Sequence, residues 1–134
     1  MIGLALSKPA VVETACLSHP AGELRQVFSD LLANSLDAID EEGIIKLRVS
    51  TVASFDGRRC VWVIVADNGK GIGASLRAQV FEPFFTTKGT VGTGLGLWVS
   101  KQIIDKHGGT IRVRSSKDGA RRGTVFSVIL ERGS

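Results

Sequence analysis

One stretch constrains this chain more than any other: an apolar run that ends in an acid and three glycines. Residues 60–66 are rich in β-branched side chains and predict a buried strand. The run continues into Asp67-Asn68-Gly69-Lys70-Gly71-Ile72-Gly73, where glycines take alternate positions. Because glycine lacks a Cβ, such a loop lets a ligand lie against the backbone, with the carboxylate facing it. Taken alone, the same pattern also fits a plain strand-to-helix connection.

Composition and charge exclude several classes of protein. The chain is 43% hydrophobic and 22% charged, which fits one globular domain over residues 1–134. No apolar run is long enough to span a bilayer, and no signal peptide is apparent. Cys16 and Cys60 lack metal-site spacing, so we expect reduced thiols in a cytosolic protein.

The net charge of +4 includes a late basic cluster. Its members are Arg112, Arg114, Lys117, Arg121 and Arg122. Since no aromatic residue interleaves with them, we interpret the cluster as a solvated hairpin face and expect no nucleic-acid partner.

Hydrophobic periodicity predicts three helices. An amphipathic helix runs from Glu23 to just before Gly43, a short one covers 74–81, and a second long one covers 95–107. Residues 1–19 form a poorly defined N-terminal segment.

The strand patterns are separated by turn residues. Predicted strands cover residues 2–6, 11–17, 44–52, 60–66, 110–115 and 124–130. Because strands and helices do not alternate as βαβ units, the order favours an α+β fold.

The first long helix carries a polar stripe. Asp30, Asn34, Asp37 and Glu41 share helical spacing. Asp30 and Asn34, one turn apart, suit a hard cation that bridges phosphates, although a solvated helix face gives the same pattern.

Two glycine-rich blocks precede the second long helix. Gly92, Gly94 and Gly96 lead directly into it, and exposed N–H groups at a helix start form an anion site; a simple helix cap is the alternative. Before them, residues 82–93 predict a functional loop or lid. Its Lys88 stands beside two threonines, and an ammonium there neutralises phosphate charge.

These four blocks, in this order, resemble the N, G1, F and G2 boxes of the ATP-binding catalytic domain of sensor histidine kinases. That domain belongs to the superfamily shared with DNA gyrase B, heat-shock chaperones and mismatch-repair ATPases. The matching blocks are residues 30–38, 67–73, 81–88 and 92–97. The resemblance covers about residues 20–131. It implies a two-layer α/β sandwich, with a mixed, mostly antiparallel sheet covered by helices on one face.

The resemblance also implies a site for ATP or ADP with Mg²⁺. Asn34 would coordinate the metal, and Asp67 would accept a hydrogen bond from the adenine amino group. Asp30 and Lys88 are the further catalytic candidates, with Phe84 as a hydrophobic latch on the lid. Other implied nucleotide contacts are Asp37, Gly69, Gly71, Ile72, Thr87, Gly92, Thr93, Gly94, Leu95, Gly96, Leu97 and Thr124.

The activity so implied is transfer of the ATP γ-phosphoryl group to a histidine on a separate dimerisation and phosphotransfer domain, then to a response regulator. The location implied is cytoplasmic, including the cytosolic part of a membrane-bound sensor. His19 and His107 are poor phosphoacceptors, since one lies in a Pro/Gly stretch and the other at a helix end.

One departure leaves alternatives open. Asp30 stands where these kinases often have Asn and the ATP-hydrolysing relatives have Glu. The alternatives are an autonomous ATPase, a serine kinase of the anti-sigma type, and a nucleotide-binding module without turnover.

Overall fold

A five-stranded sheet forms one layer of the computed structural model, which describes residues 2–6, 21–53, 57–83 and 96–131. The strands are β1 (Ile2–Leu6), β2 (Ile45–Ala53), β3 (Arg59–Asp67), β4 (Thr110–Ser116) and β5 (Gly123–Glu131). Their order in the sheet is β1-β2-β3-β5-β4, and all four described pairings are antiparallel. Within the described residues the sheet is antiparallel throughout, which agrees with the mostly antiparallel sheet predicted.

Strand β3 lies at the centre of the sheet, between β2 and β5. Val65 pairs with Leu47 on one side and with Phe126 on the other. All three side chains are buried, and their alternation along the strands gives the sheet one apolar face.

Helices cover that face. They are α1 (Ala21–Ala38), α2 (Ala74–Arg77) and α3 (Gly96–Lys106). The buried stripe of α1 includes Leu24, Val27 and Leu31, and α3 adds Ile104 to the same core. On the opposite face Lys46, Arg48, Arg112 and Arg114 are exposed. The predicted two-layer sandwich is thus confirmed.

Two predicted helices are shorter than expected. Helix α1 ends at Ala38, and Glu41 lies beyond it because the chain turns at Asp40, whose carbonyl accepts the Gly43 N–H. Helix α2 ends at Arg77 and continues as turns, because Gln79 and Val80 bond three residues back instead of four.

The remaining predictions fall partly on described residues and partly outside them. Cys60 is buried and free, and the five cations of the basic cluster are exposed, as predicted. The predicted strand 11–17, Cys16, His19 and most of the predicted lid lie outside the described residues.

Candidate functional site

Asp67 ends the central strand and turns its side chain to the helix-covered face. Only 9% of the residue is exposed. Its Oδ1 accepts a hydrogen bond of 2.9 Å from the Gly69 N–H. Burial raises the pKa of the Asp67 carboxyl, while the N–H of Gly69, the Ser35 hydroxyl and the Thr124 backbone act in the opposite direction. A buried acid with few partners is typical of a ligand site.

The loop after Asp67 is fixed by hydrogen bonds at every second residue. Asn68 Oδ1 accepts from Ile44 N–H at 2.8 Å, and Lys70 N–H donates to the Ala38 carbonyl at 3.0 Å. Ile72 N–H donates to Ser115 Oγ at 2.7 Å. The loop is thereby tied in turn to β2, to the end of α1 and to β4.

Two of the three glycines of this loop are required by the protein's own packing. A Cβ at Gly71, where φ is +72°, would overlap the carbonyl oxygen of Ser116. A Cβ at Gly69 would overlap the carbonyl group of Ala38. The alternate glycines seen in the sequence therefore allow close backbone contacts on both sides of the loop.

Strand β5 contributes Thr124, which pairs with Asp67 in the register of the sheet. Thr124 is 3% exposed, and its Oγ1 lies 2.8 Å from Ser115 Oγ. Ser115 Oγ also donates to the Gly123 carbonyl at 2.9 Å. A hydroxyl network therefore connects β4, β5 and the glycine loop.

The polar stripe of α1 faces α3. Asp30 accepts hydrogen bonds from Gln26 Nε2 at 2.8 Å and from the buried Ser100 Oγ at 3.1 Å. Asn34 Nδ2 donates to the Asp30 carbonyl at 2.8 Å, and this bond assigns the orientation of the amide. The Asn34 amide oxygen is then the atom left for a ligand.

A cavity of about 60 Å³ joins these groups. The residues that line it are Asn34, Asp37, Ala38, Asp67, Lys70, Gly71, Ile72, Leu97, Thr124 and Phe126. Six of the predicted site residues on α1, the glycine loop, α3 and β5 thus meet at one place with Asn34. Gly69 lies in the same loop without lining the cavity, and Asp30 and Gly96 lie next to each other beside it.

Several predicted site residues cannot be placed. Phe84, Thr87, Lys88, Gly92, Thr93, Gly94 and Leu95 lie outside the described residues. Within the described ranges, no group of three or more His, Cys, Asp and Glu side chains is arranged to hold a metal ion.

Sequence reasoning missed two serines at the site, one buried and one half-buried. Ser35 is fully buried beside the Asp67 carboxyl, and its hydroxyl lowers the pKa of that acid. Ser115 follows Ile111 and Val113 at every second residue of β4, on the face that packs against the helices. A hydroxyl residue on an otherwise apolar face was the available signal in both cases.

The described part of the chain contains no helix long and apolar enough to cross a membrane.

Comparison with known proteins gives consistent matches. Residues 20–134 match the family model described as histidine kinase-, DNA gyrase B-, and HSP90-like ATPase. The signal transduction histidine-protein kinase AtoS of Escherichia coli (strain K12) is 42% identical over 107 residues, which are 80% of this chain and 16% of AtoS. The chain therefore spans about a sixth of that relative's length.

Two solved structures share the fold. The mycobacterial sensor histidine kinase MprB has a TM-score of 0.76 at 26% identity, covering 86% of this chain and 76% of that one. Full-length ShkA in complex with AMPPNP has a TM-score of 0.64 at 26% identity, covering 84% of this chain and 22% of that one. With its acid–glycine loop, its α1 stripe and these likenesses, the chain belongs to the family of histidine kinase-, DNA gyrase B- and HSP90-like ATPases.

Proposed function

We propose that this chain is the ATP-binding catalytic domain of a sensor histidine kinase. The observation that carries the proposal is the buried Asp67 carboxylate in a cavity that also presents Asn34 and Thr124. The match to ShkA, solved with AMPPNP, supports a nucleotide as the ligand.

Adenine is the part of the nucleotide that belongs beside Asp67. Asp67 accepts a hydrogen bond from the exocyclic amine, and Ile72 and Leu97 supply apolar walls for the ring. Thr124 binds a water that bridges to the ring. ATP and ADP share these contacts, so both bind.

Magnesium fits the Asn34 end. A neutral amide oxygen suits Mg²⁺, which keeps several waters and completes its shell with phosphate oxygens. Asn34 is the residue that would hold the ion there. A bound Mg²⁺ would supply neutralisation of the triphosphate charge.

The phosphoryl acceptor is a histidine on a separate dimerisation and phosphotransfer domain, from which the group passes to a response regulator in the cytoplasm. The kinase names of relatives such as AtoS support this acceptor. Catalysis is mainly positioning and charge neutralisation, with Asp30, Asn34 and Lys88 as the candidate residues.

Titration calorimetry with ADP and with ATP, each with and without Mg²⁺, tests the binding site. We expect Asp67→Asn to weaken binding about 10- to 100-fold, because a hydrogen bond to a charged group is lost. Asp118→Asn, an exposed acid in the β4–β5 loop, is the matched control and should bind as the parent does. An Asp67→Asn variant that binds as well as the parent rules out the adenine assignment.

A transfer assay separates the kinase from its alternatives. With [γ-³²P]ATP, the chain should label a supplied phosphoacceptor domain at histidine and should not label itself. Brisk hydrolysis without transfer would instead place the chain among the autonomous ATPases, and acid-stable label on a serine would indicate the anti-sigma type of kinase.

A further inference from the structure

Ser115 lies at the centre of a hydroxyl network behind the cavity. Its Oγ has three partners: Ile72 N–H at 2.7 Å, the Gly123 carbonyl oxygen at 2.9 Å and Thr124 Oγ1 at 2.8 Å. Ser115 is half-buried, and it is not one of the residues that line the cavity. Its influence on a ligand therefore passes through Ile72 and Thr124.

Counting protons fixes the direction of each bond. A serine hydroxyl has one proton and two lone pairs. The Gly123 carbonyl can only accept, whereas Thr124 Oγ1 can donate or accept, so all three contacts are hydrogen bonds together only when Ser115 donates to Gly123 and Ile72 N–H fills one lone pair. The bond to Thr124 must then use the second lone pair, with Thr124 as the donor. Both acceptor sites and the single donor of Ser115 are occupied.

Thr124 therefore donates its only hydroxyl proton to Ser115 and has none to donate to a ligand in the cavity. Thr124 lines the cavity beside Asp67, its partner across β3 and β5, and its Oγ1 can offer a ligand there only lone pairs. Two neighbouring acceptors therefore form this edge of the cavity.

We propose that Ser115 is a positioning residue that makes this edge accept hydrogen bonds only, and so contributes to the choice of a 6-amino over a 6-oxo purine. The inference rests on the nucleotide site proposed above. A 6-amino purine offers N–H donors, and a bridging water can turn an O–H towards Thr124. A 6-oxo purine places a carbonyl oxygen against the acceptors, where nothing donates to it.

The test compares ADP with inosine diphosphate, which differs at this edge of the ring. Calorimetry on the parent and on Ser115→Ala gives two dissociation constants for each protein. With the serine removed, the Thr124 proton is free to turn into the cavity and bond a 6-oxo group. We expect the preference for ADP to fall about fivefold, the value of one neutral hydrogen bond.

Ser127→Ala is the matched control, because Ser127 lies on β5 and pairs with Ile64 and Arg112 on the opposite face of the sheet. It should leave the preference unchanged. Thr124→Val should lower the preference by a similar factor, and adding Ser115→Ala to it should change nothing more. This second variant also serves if Ser115→Ala does not fold.

The possible failures are distinguishable. Equal weakening of both diphosphates in Ser115→Ala would mean that Ser115 only holds the loop, and would overturn this inference alone. A parent chain that binds neither diphosphate would overturn the proposed nucleotide site and the inference together.

Discussion

The loop after β3 and the first turn of α3 both carry glycines, but an added methyl group would meet different surroundings in each. At Gly71 it would overlap the backbone of β4. At Gly96 the nearest atoms among the described residues belong to Asp30, at ordinary contact distances of 3.7–3.9 Å. The loop is thus closed by the protein's own packing, whereas no described residue would overlap a Cβ added at the start of α3.

This difference indicates that the two ends of the proposed site are held in different ways. The proposed adenine end is held by the fold itself, since its loop is bonded to Ile44, α1 and β4. A preorganised end adds affinity because little ordering is needed on binding. At the α3 end, no described residue requires a glycine at position 96.

The largest effect is expected from Gly71→Ala. The substitution places a Cβ at a φ of +72° and against the Ser116 carbonyl, so we expect a loss of about 2–4 kcal/mol in the free energy of unfolding. Urea denaturation measures it. Gly22→Ala, whose added Cβ would meet nothing within 4 Å, is the control and should be neutral or slightly stabilising. Equal midpoints for the parent and Gly71→Ala would contradict the account of a closed loop.

The sequence predicted the glycine loop of the site better than it predicted the hydrogen bonds that hold this loop in place. Alternate glycines after an acid report a tight backbone directly, because few other residues tolerate such contacts. The hydrogen bonds that fix the loop come from Ile44, Ala38 and Ser115, which are distant in sequence. Their partnership depends on strand register and helix packing, and local patterns do not encode either.

The sequence likewise predicted the helices and strands better than it predicted where they end. Strong periodicity located α1, β2, β3 and the β4–β5 hairpin within a few residues. The end of α1 was placed too late, since its polar spacing continues to Glu41 although the helix stops at Ala38. Competing turn bonds at Asp40 decide that boundary, and the apolar stripe does not report them.

The second effect concerns Asp30, which connects α1 to α3. We expect Asp30→Asn to leave slow ATP hydrolysis nearly unchanged and to lower phosphoryl transfer to a supplied acceptor domain by about 10²-fold, the low end for a general base. Both rates are measured on one preparation.

Ser100→Ala distinguishes the two roles of Asp30. It removes the hydrogen bond from α3 but keeps the carboxylate. If transfer needs the carboxylate, Ser100→Ala retains most of the activity. If transfer activity falls as far in Ser100→Ala as in Asp30→Asn, Asp30 acts only by positioning α3. Rapid hydrolysis that collapses in Asp30→Asn would favour the ATPase alternative.

A third test uses Gly96→Ala. The methyl fits against Asp30, so the free energy of unfolding should change little. If the triphosphate approaches the start of α3, the same methyl should weaken ATP binding about tenfold, the usual cost of overpacking a contact. Calorimetry and urea denaturation give the two quantities, with Gln102→Ala on the exposed side of α3 as the control. An unchanged ATP affinity in Gly96→Ala would mean that the phosphates do not approach the start of α3.

The smallest effect is a gain of stability in Asp67→Asn. Burial raises the pKa of the Asp67 carboxyl from 3.8, so the native state binds the proton more tightly than the unfolded state. Stability therefore falls as the pH rises from 3.8 through the raised pKa, and the cost of the buried charge is fully present at neutral pH. Asparagine keeps the shape without the charge.

We accordingly expect Asp67→Asn to exceed the parent by about 1 kcal/mol in free energy of unfolding near pH 7, and the difference to vanish below pH 3.8. Urea denaturation of both proteins at the two pH values measures this difference in free energy of unfolding. The other acidic residues are present in both proteins and therefore contribute equally to both values. Asp118→Asn, an exposed acid, should match the parent at both pH values. A less stable Asp67→Asn at neutral pH would mean that the charge supports the loop, and the adenine end would then owe its order to Asp67 as well as to its backbone contacts.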